Sequence, residues 1–229
     1  AHVSGLQAST RRHDLAIYNA GHDDCSARLQ FIPEDPGDDR PFLDFDGLMP
    51  GRQVLFEDVV AYLAGGGERK GSVWLTSRDG QPVPRLSVRT YNLGDDGGTF
   101  GQFIPSFGEN EMLWSGERGV LPGVACAADP STGSRTNVGV LNASETETAR
   151  LQLVLWANDG SVGGTRLDFE VSPGGFIQEP LARLLGLEGK DLHGSLEVSV
   201  ISGGPVGVYV SVVDNRTQDP ILVPATLVR

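Results

Sequence analysis

Along most of this chain apolar and polar residues alternate with a period of two. Leu151, Leu153 and Leu155 are interleaved with Gln152, Val154 and Trp156. Leu196, Val198 and Val200 alternate with Glu197, Ser199 and Ile201, and Val206, Val208, Val210 and Val212 make a third row. Leu29/Phe31, Val73/Leu75 and Leu86/Val88/Thr90 carry the same pattern nearer the N-terminus. Successive side chains of a strand leave opposite faces, so such rows predict strands with one buried and one wetted face. Antiparallel sheets accommodate that arrangement. Breakers such as Gly94-Asp95-Asp96-Gly97-Gly98 and Ser202-Gly203-Gly204-Pro205 separate the rows.

Two segments depart from this period. Leu55, Val59, Tyr62 and Leu63 stand at i, i+4, i+7 and i+8, and Ile177, Leu181, Leu184 and Leu185 repeat the spacing. Each segment follows a Pro-Gly turn and ends at a glycine, Gly65 or Gly186, where a helix terminus favours one. The spacing predicts a short amphipathic helix in each, crossing from one sheet to the other.

These two helical segments belong to a longer self-similarity. Asp14-Leu15-Ala16-Ile17-Tyr18-Asn19 runs parallel to Asn137-Val138-Gly139-Val140-Leu141-Asn142, Ala27-Arg28-Leu29-Gln30 to Ala149-Arg150-Leu151-Gln152, and Leu43-Asp44-Phe45-Asp46 to Leu167-Asp168-Phe169-Glu170. The ordered matches, at a nearly constant offset, predict two copies of one unit of about 110 residues, the size of a small domain. The expected boundaries are 1–107 for the first copy, 108–120 for a linker and 121–229 for the second. The trio Met112-Leu113-Trp114 interrupts the polar linker and is expected to pack between the domains. About seven short strands and one helix per copy, with connections of Greek-key length, give the fold class: all-β, two tandem immunoglobulin-like antiparallel β-sandwiches. The Cys…Trp…Cys pattern of antibody domains is absent, so the architecture alone is implied.

Composition narrows the function classes. The 229 residues include 31 glycines and 14 prolines, and the formal net charge is -12. That balance argues against nucleic-acid binding, which calls for a basic footprint. No apolar run approaches the length of a membrane-spanning helix, roughly 18–20 residues. The start, Ala1-His2-Val3, is read as following either a removed signal peptide or a trimmed end. Cys25 and Cys126 lack metal-ligand spacing and are read either as one disulfide or as two free thiols.

Reactive constellations are scarce. His2, His13, His22 and His193 share no ligand spacing; His13 is read as a surface residue and His193 as part of a turn. Gly65-Gly66-Gly67-Glu68-Arg69-Lys70-Gly71-Ser72 superficially resembles a phosphate loop, but its Lys and Gly stand in the wrong order and a strand follows. The acidic doublets Asp23-Asp24, Asp38-Asp39 and Asp95-Asp96 all fall in loops of the first copy. Gathered at one sandwich end, they would offer hard oxygen ligands for calcium; dispersed, they serve solubility. A hydrolase of the glycosidase type would need two such carboxylates facing across a cleft. Trp74 and Trp156 are out of phase with the buried rows, so they face outward as candidate platforms for sugar rings or as covers for a neighbouring element. Asn142-Ala143-Ser144 and Asn215-Arg216-Thr217 are formal glycosylation sequons, yet Asn142 matches Asn19, which points to a turn former at a strand end.

Arg135-Thr136-Asn137-Val138-Gly139-Val140-Leu141-Asn142, with Gly101-Gln102-Phe103-Ile104-Pro105 and Val212-Val213-Asp214-Asn215, resembles a group of exported bacterial β-sandwich repeat proteins. The first copy departs from the pattern, reading Arg12-His13-Asp14-Leu15. The resemblance implies an extracellular or cell-envelope location and brings no catalytic residues. The expectation is therefore a non-catalytic structural, adhesion or assembly protein. Its partners are other proteins or copies of itself at exposed sheet edges. The alternatives are a carbohydrate-binding module, with a polysaccharide as partner, and a carboxylate-based hydrolase. No cofactor is called for, calcium being the one candidate ion.

Overall fold

The computed structural model describes residues 10–35, 37–65, 69–93, 97–104 and 106–228. Asp95, Asp96, His2, Pro105 and the 66–68 part of the glycine-rich run lie outside them. The chain divides into two compact units, Ala1–Ser106 and Phe107–Arg229.

In the first unit the alternating rows become β1 (Thr10–Tyr18), β2 (Cys25–Pro33), β3 (Phe42–Leu48), β4 (Gln53–Phe56), β5 (Gly71–Ser77), β6 (Arg85–Leu93) and β7 (Thr99–Ile104), with one helix, α1 (Val59–Ala64), between β4 and β5. They form two antiparallel sheets, ordered β4-β1-β6-β7 and β3-β2-β5. Leu15 and Ile17 of one sheet and Leu29 and Phe31 of the other close a single core, with Val59 and Val60 of the helix. The second unit contains β8 (Arg118–Cys126), β9 (Ser134–Asn142), β10 (Ala149–Ala157), β11 (Val162–Val171), β12 (Phe176–Pro180), α2 (Leu181–Leu185), β13 (Leu192–Ser202), β14 (Val206–Asp214), β15 (Pro220–Pro224) and β16 (Thr226–Val228). Its antiparallel sheets run β12-β9-β14-β15 and β11-β10-β13-β8-β16. Leu151, Leu153 and Leu155 face Val138, Val140, Val208 and Val210 across the core. The protein is thus all-β, built of antiparallel sandwich units, each with one short helix that passes from one sheet to the other.

Three expectations need correction. The helices are shorter than the apolar spacing suggests, because Leu55 and Ile177 belong to β4 and β12, where pairing with β1 and β9 holds the backbone extended. Their ends are as expected: Gly65 and Gly186 adopt φ of 75° and 65°, a left-handed conformation that suits glycine. The stretch 108–120 is part of the second unit. Leu113 lies in that unit's core and exchanges backbone hydrogen bonds with Val206, and β8 begins at Arg118. Met112-Leu113-Trp114 therefore divides, Leu113 inward and Trp114 exposed. Finally, His13 is buried, since its position in β1 is in phase with Leu15 and Ile17. His193 lies on β13 with its side chain on the wetted face.

The end of β9 is tied down by a buried side chain. Asn142 is fully enclosed; its Nδ2 donates to the carbonyls of Glu147, Val171 and Ser172 at 2.7, 3.0 and 3.1 Å, and its Oδ1 accepts from Ser144 N–H at 3.0 Å. Asn19 does the same work at the end of β1, donating to Asp23 and Leu48 carbonyls and accepting from Gly21 N–H. The shared asparagine is thus a turn former, and the sequon at Asn142 is enclosed in the folded protein. Asn142→Ala would leave the buried Val171 carbonyl without this donor, at a cost of about 1–3 kcal/mol, and remove the bonds to Glu147 and Ser172 as well. We expect that variant to lose about 2–4 kcal/mol of stability in denaturant unfolding of the full chain, several times the loss from replacing exposed Asn158 by Ala.

Candidate functional site

The sheet β3-β2-β5 turns Val73, Leu75 and Leu29 inward, so Arg28, Gln30, Trp74 and Thr76 emerge on its outer face. Register sets Phe42, Gln30 and Trp74 in one row across the three strands, and Asp44, Arg28 and Thr76 in the next. Two strand spacings separate Phe42 from Trp74, about 10 Å. Phe42 is half exposed, and the Arg28 guanidinium lies over its ring at 3.9 Å. Trp74 is half-buried and donates from Nε1 to Ser72 Oγ at 2.9 Å.

Charge on this face is arranged as a ladder. Arg28 grips Asp44 with both ends of its fork, Nε–Oδ1 at 2.8 Å and Nη2–Oδ2 at 2.9 Å. Arg78 stands 3.5 Å from Asp44 and bonds Asp46 at 2.6 Å. The hydrogen bond from Arg28 holds the Asp44 carboxyl below the usual carboxylate range, and the same bond raises Arg28. Nearby, Asp79 is held low mainly by the Gln81 N–H. In the second unit Arg150 and Glu170 make the matching cross-strand pair on β10 and β11, at 2.7 Å.

The sequence-predicted residues do not converge. Asp23 and Asp24 precede β2 while Asp38 and Asp39 follow it, so nine extended residues, about 30 Å, hold the two doublets at opposite ends of the unit. Asp38 is engaged by Arg69 at 2.9 Å, and Asp38 and Asp39 border a cleft of about 470 Å³ beside Phe31, Pro33 and Leu63. Among the described residues no three His, Cys, Asp or Glu side chains stand close enough to share a metal ion. Of the two arrangements, the described doublets take the dispersed one, and Asp95-Asp96 lies outside the described residues. Trp156 is 38% exposed on the outer face of β10, between Val162 and Ser195 in register. Each tryptophan thus faces outward, in its own unit. Cys25 and Cys126 are both buried free thiols, and burial, followed by Asp79 and Asp24, pushes the Cys25 thiol up.

Sequence reasoning missed Phe42 and the Arg28 fork, because pairing register, not spacing along one strand, brings them beside Trp74. It also missed the state of the sheet's last strand. Beyond β5, Gly-Ser-Val-Trp-Leu-Thr-Ser, no further strand is paired among the described residues, and β5 carries no charge and no proline. Native sheet edges are commonly guarded by such residues. In the second unit, β13, which likewise follows the helix and pairs with the strand after the first turn, is covered by β8.

The Arg28–Asp44 pair has a pH signature. A carboxyl held below its unfolded value adds stability that is present above the ordinary carboxylate range and lost as pH falls through the depressed value. Replacing Arg28 by Met should raise the Asp44 midpoint toward the ordinary aspartate value, read by carboxyl-carbon NMR titration, while Asp79 keeps its own low midpoint.

No protein-family profile matches the chain, and no curated protein does. Among solved structures, an anti-sigma factor domain-containing protein aligns over 95% of this chain and 83% of its own length, at 9% identity and a TM-score of 0.18. A likeness that slight carries no argument about fold or function.

Proposed function

We propose that this protein is a non-catalytic structural module, two tandem β-sandwich repeats that join protein partners or further copies through exposed sheet edges. The observation that carries the reading is the β5 edge, which bears no charge and no proline and has no strand paired beyond it among the described residues. It is supported by the parallel build of the two units: the Asn19 and Asn142 nodes and the glycine-ended helices. Duplication of this kind preserves a shape, and the side chains it preserves hold turns and strands. The setting we assign is extracellular or at the cell envelope, following the resemblance of the Arg135–Asn142 strand to exported repeat proteins.

A second reading is favoured by the Phe42–Gln30–Trp74 row: a carbohydrate-binding face on which sugar rings stack. The two readings separate in one comparison. Sedimentation velocity of the full chain over a concentration series should show reversible growth beyond the monomer, reduced by Thr76→Lys, which sets a charge at the β5 edge. A strict monomer at every concentration would overturn self-association. Retardation by a soluble polysaccharide that disappears in Trp74→Ala would favour the sugar-binding face instead.

A further inference from the structure

The outer face of β3-β2-β5 sets aromatic rings and hydrogen-bonding groups in one layer. On β2, Arg28 and Gln30 flank the inward Leu29, so the row Phe42–Gln30–Trp74 stands beside the row Asp44–Arg28–Thr76. Arg28 ties the two rows together. Its Nε and Nη2 grip Asp44, while its guanidinium lies over the Phe42 ring at 3.9 Å. A guanidinium held by a carboxylate fork and by a ring face keeps little freedom, so its position is set before any ligand arrives.

Both partners of this pair keep hydrogen-bonding capacity. Among the described residues nothing accepts from the Nη1 end of the Arg28 fork. The Asp44 carboxylate, which can accept about four hydrogen bonds, receives two from Arg28 and has Arg78 Nε at 3.5 Å. The Arg28 and Asp44 side chains are 39% and 26% exposed, within reach of a ligand lying on the face. Charge then decides the ligand's class. Arg28 is spent on Asp44 and Arg78 on Asp46, so the face offers no net charge, and the chain's formal -12 repels a polyanion at a distance. An apolar protein surface pressed here would strip water from the Arg28–Asp44 pair and return no hydrogen bond, which is costly. A ligand with apolar ring faces and a rim of hydroxyls fits both requirements. Its C–H faces stack on Phe42 and Trp74, and its hydroxyls replace the water at Nη1 and Asp44.

We propose that this cluster binds an uncharged polysaccharide whose chain crosses the strands from Phe42 to Trp74, with Arg28 Nη1 as donor and Asp44 as acceptor to neighbouring hydroxyls of the ring on Phe42. Two strand spacings, about 10 Å, separate the two stacking positions and leave room for one ring between them, over Gln30. Phe42 and Trp74 provide the contact area, and the Arg28–Asp44 pair orients the sugar. This inference rests on the sugar-binding reading above and names the charge class of the ligand and the polar residues that select it.

The probes are hydroxyethylcellulose and dextran, each set against its carboxymethyl counterpart, in calorimetric titrations of the full chain. At least one neutral polymer should bind, and its anionic counterpart should bind more weakly. Arg28→Lys keeps the charge and loses the fork, and it should weaken that binding about tenfold or more. Asp44→Asn, which trades an acceptor oxygen for a donor, and Phe42→Ala should do the same. Arg150→Lys, the same change in the cross-strand pair of the second unit, should leave binding unaltered. Binding of neither neutral polymer would overturn this proposal and the sugar-binding reading together. Binding that Phe42→Ala abolishes while Arg28→Lys and Asp44→Asn leave it intact keeps the stacking face and sinks the role of the pair. An anionic polymer that binds as tightly as its neutral counterpart, or an Arg150→Lys loss as large as that of Arg28→Lys, also sinks the proposal.

Discussion

The amide of Asn142 is the interaction on which the second unit's shape depends, and Asn19 repeats it in the first. Each side chain sits where a strand of one sheet ends and bonds to a carbonyl on the other sheet: Asn142 to Val171 of β11, Asn19 to Leu48 of β3. Two sheets that touch through apolar side chains alone are free to slide, because burial is non-directional. A buried amide that must satisfy its donors and acceptor at set angles removes that freedom. The backbone adds to the lock in both units, with Asn19 N–H donating to Arg52 and Asn142 N–H to Gly175.

With the sheets held, the inner faces differ in a way that bears on function. The second unit's core is mostly Leu and Val, and the buried hydroxyl of Thr136 is served by β8. In the first unit the row His13–Thr90–Gln102 stands next along the sheet to the row Leu15–Val88–Ile104, so polar side chains follow apolar ones there. The β5 strand, beyond which none is paired among the described residues, lies on the sheet that faces this row.

The outer faces carry the charge. Arg28, Asp44, Arg78 and Asp46 alternate in sign across β2, β3 and the end of β5, so that the face is neither acidic nor basic although the chain as a whole carries a formal -12. The excess negative charge therefore belongs elsewhere, in turns such as those bearing Asp23-Asp24 and Asp38-Asp39. Exposed pairs of this kind contribute little to stability; their consequence is a level surface with aromatic rings at its margin.

The two-residue period of Leu151, Leu153 and Leu155 was enough to declare strands and which side of each is buried, because strand geometry leaves no other way to bury alternate residues. Gly65 and Gly186 likewise announced where the helices stop, since a left-handed residue at a helix end favours glycine. The match of Asn19 with Asn142 pointed to a turn role before either amide's partners were known. What the chain alone leaves open is everything set by pairing between distant strands. Register decides that Phe42 meets Trp74 across Gln30 and that Leu55 sits on a strand instead of a helix. It also decides that β13 is covered by β8, while among the described residues β5 has no strand beyond it. These are contacts between residues tens of positions apart, fixed by how the whole core closes and carried by no local pattern.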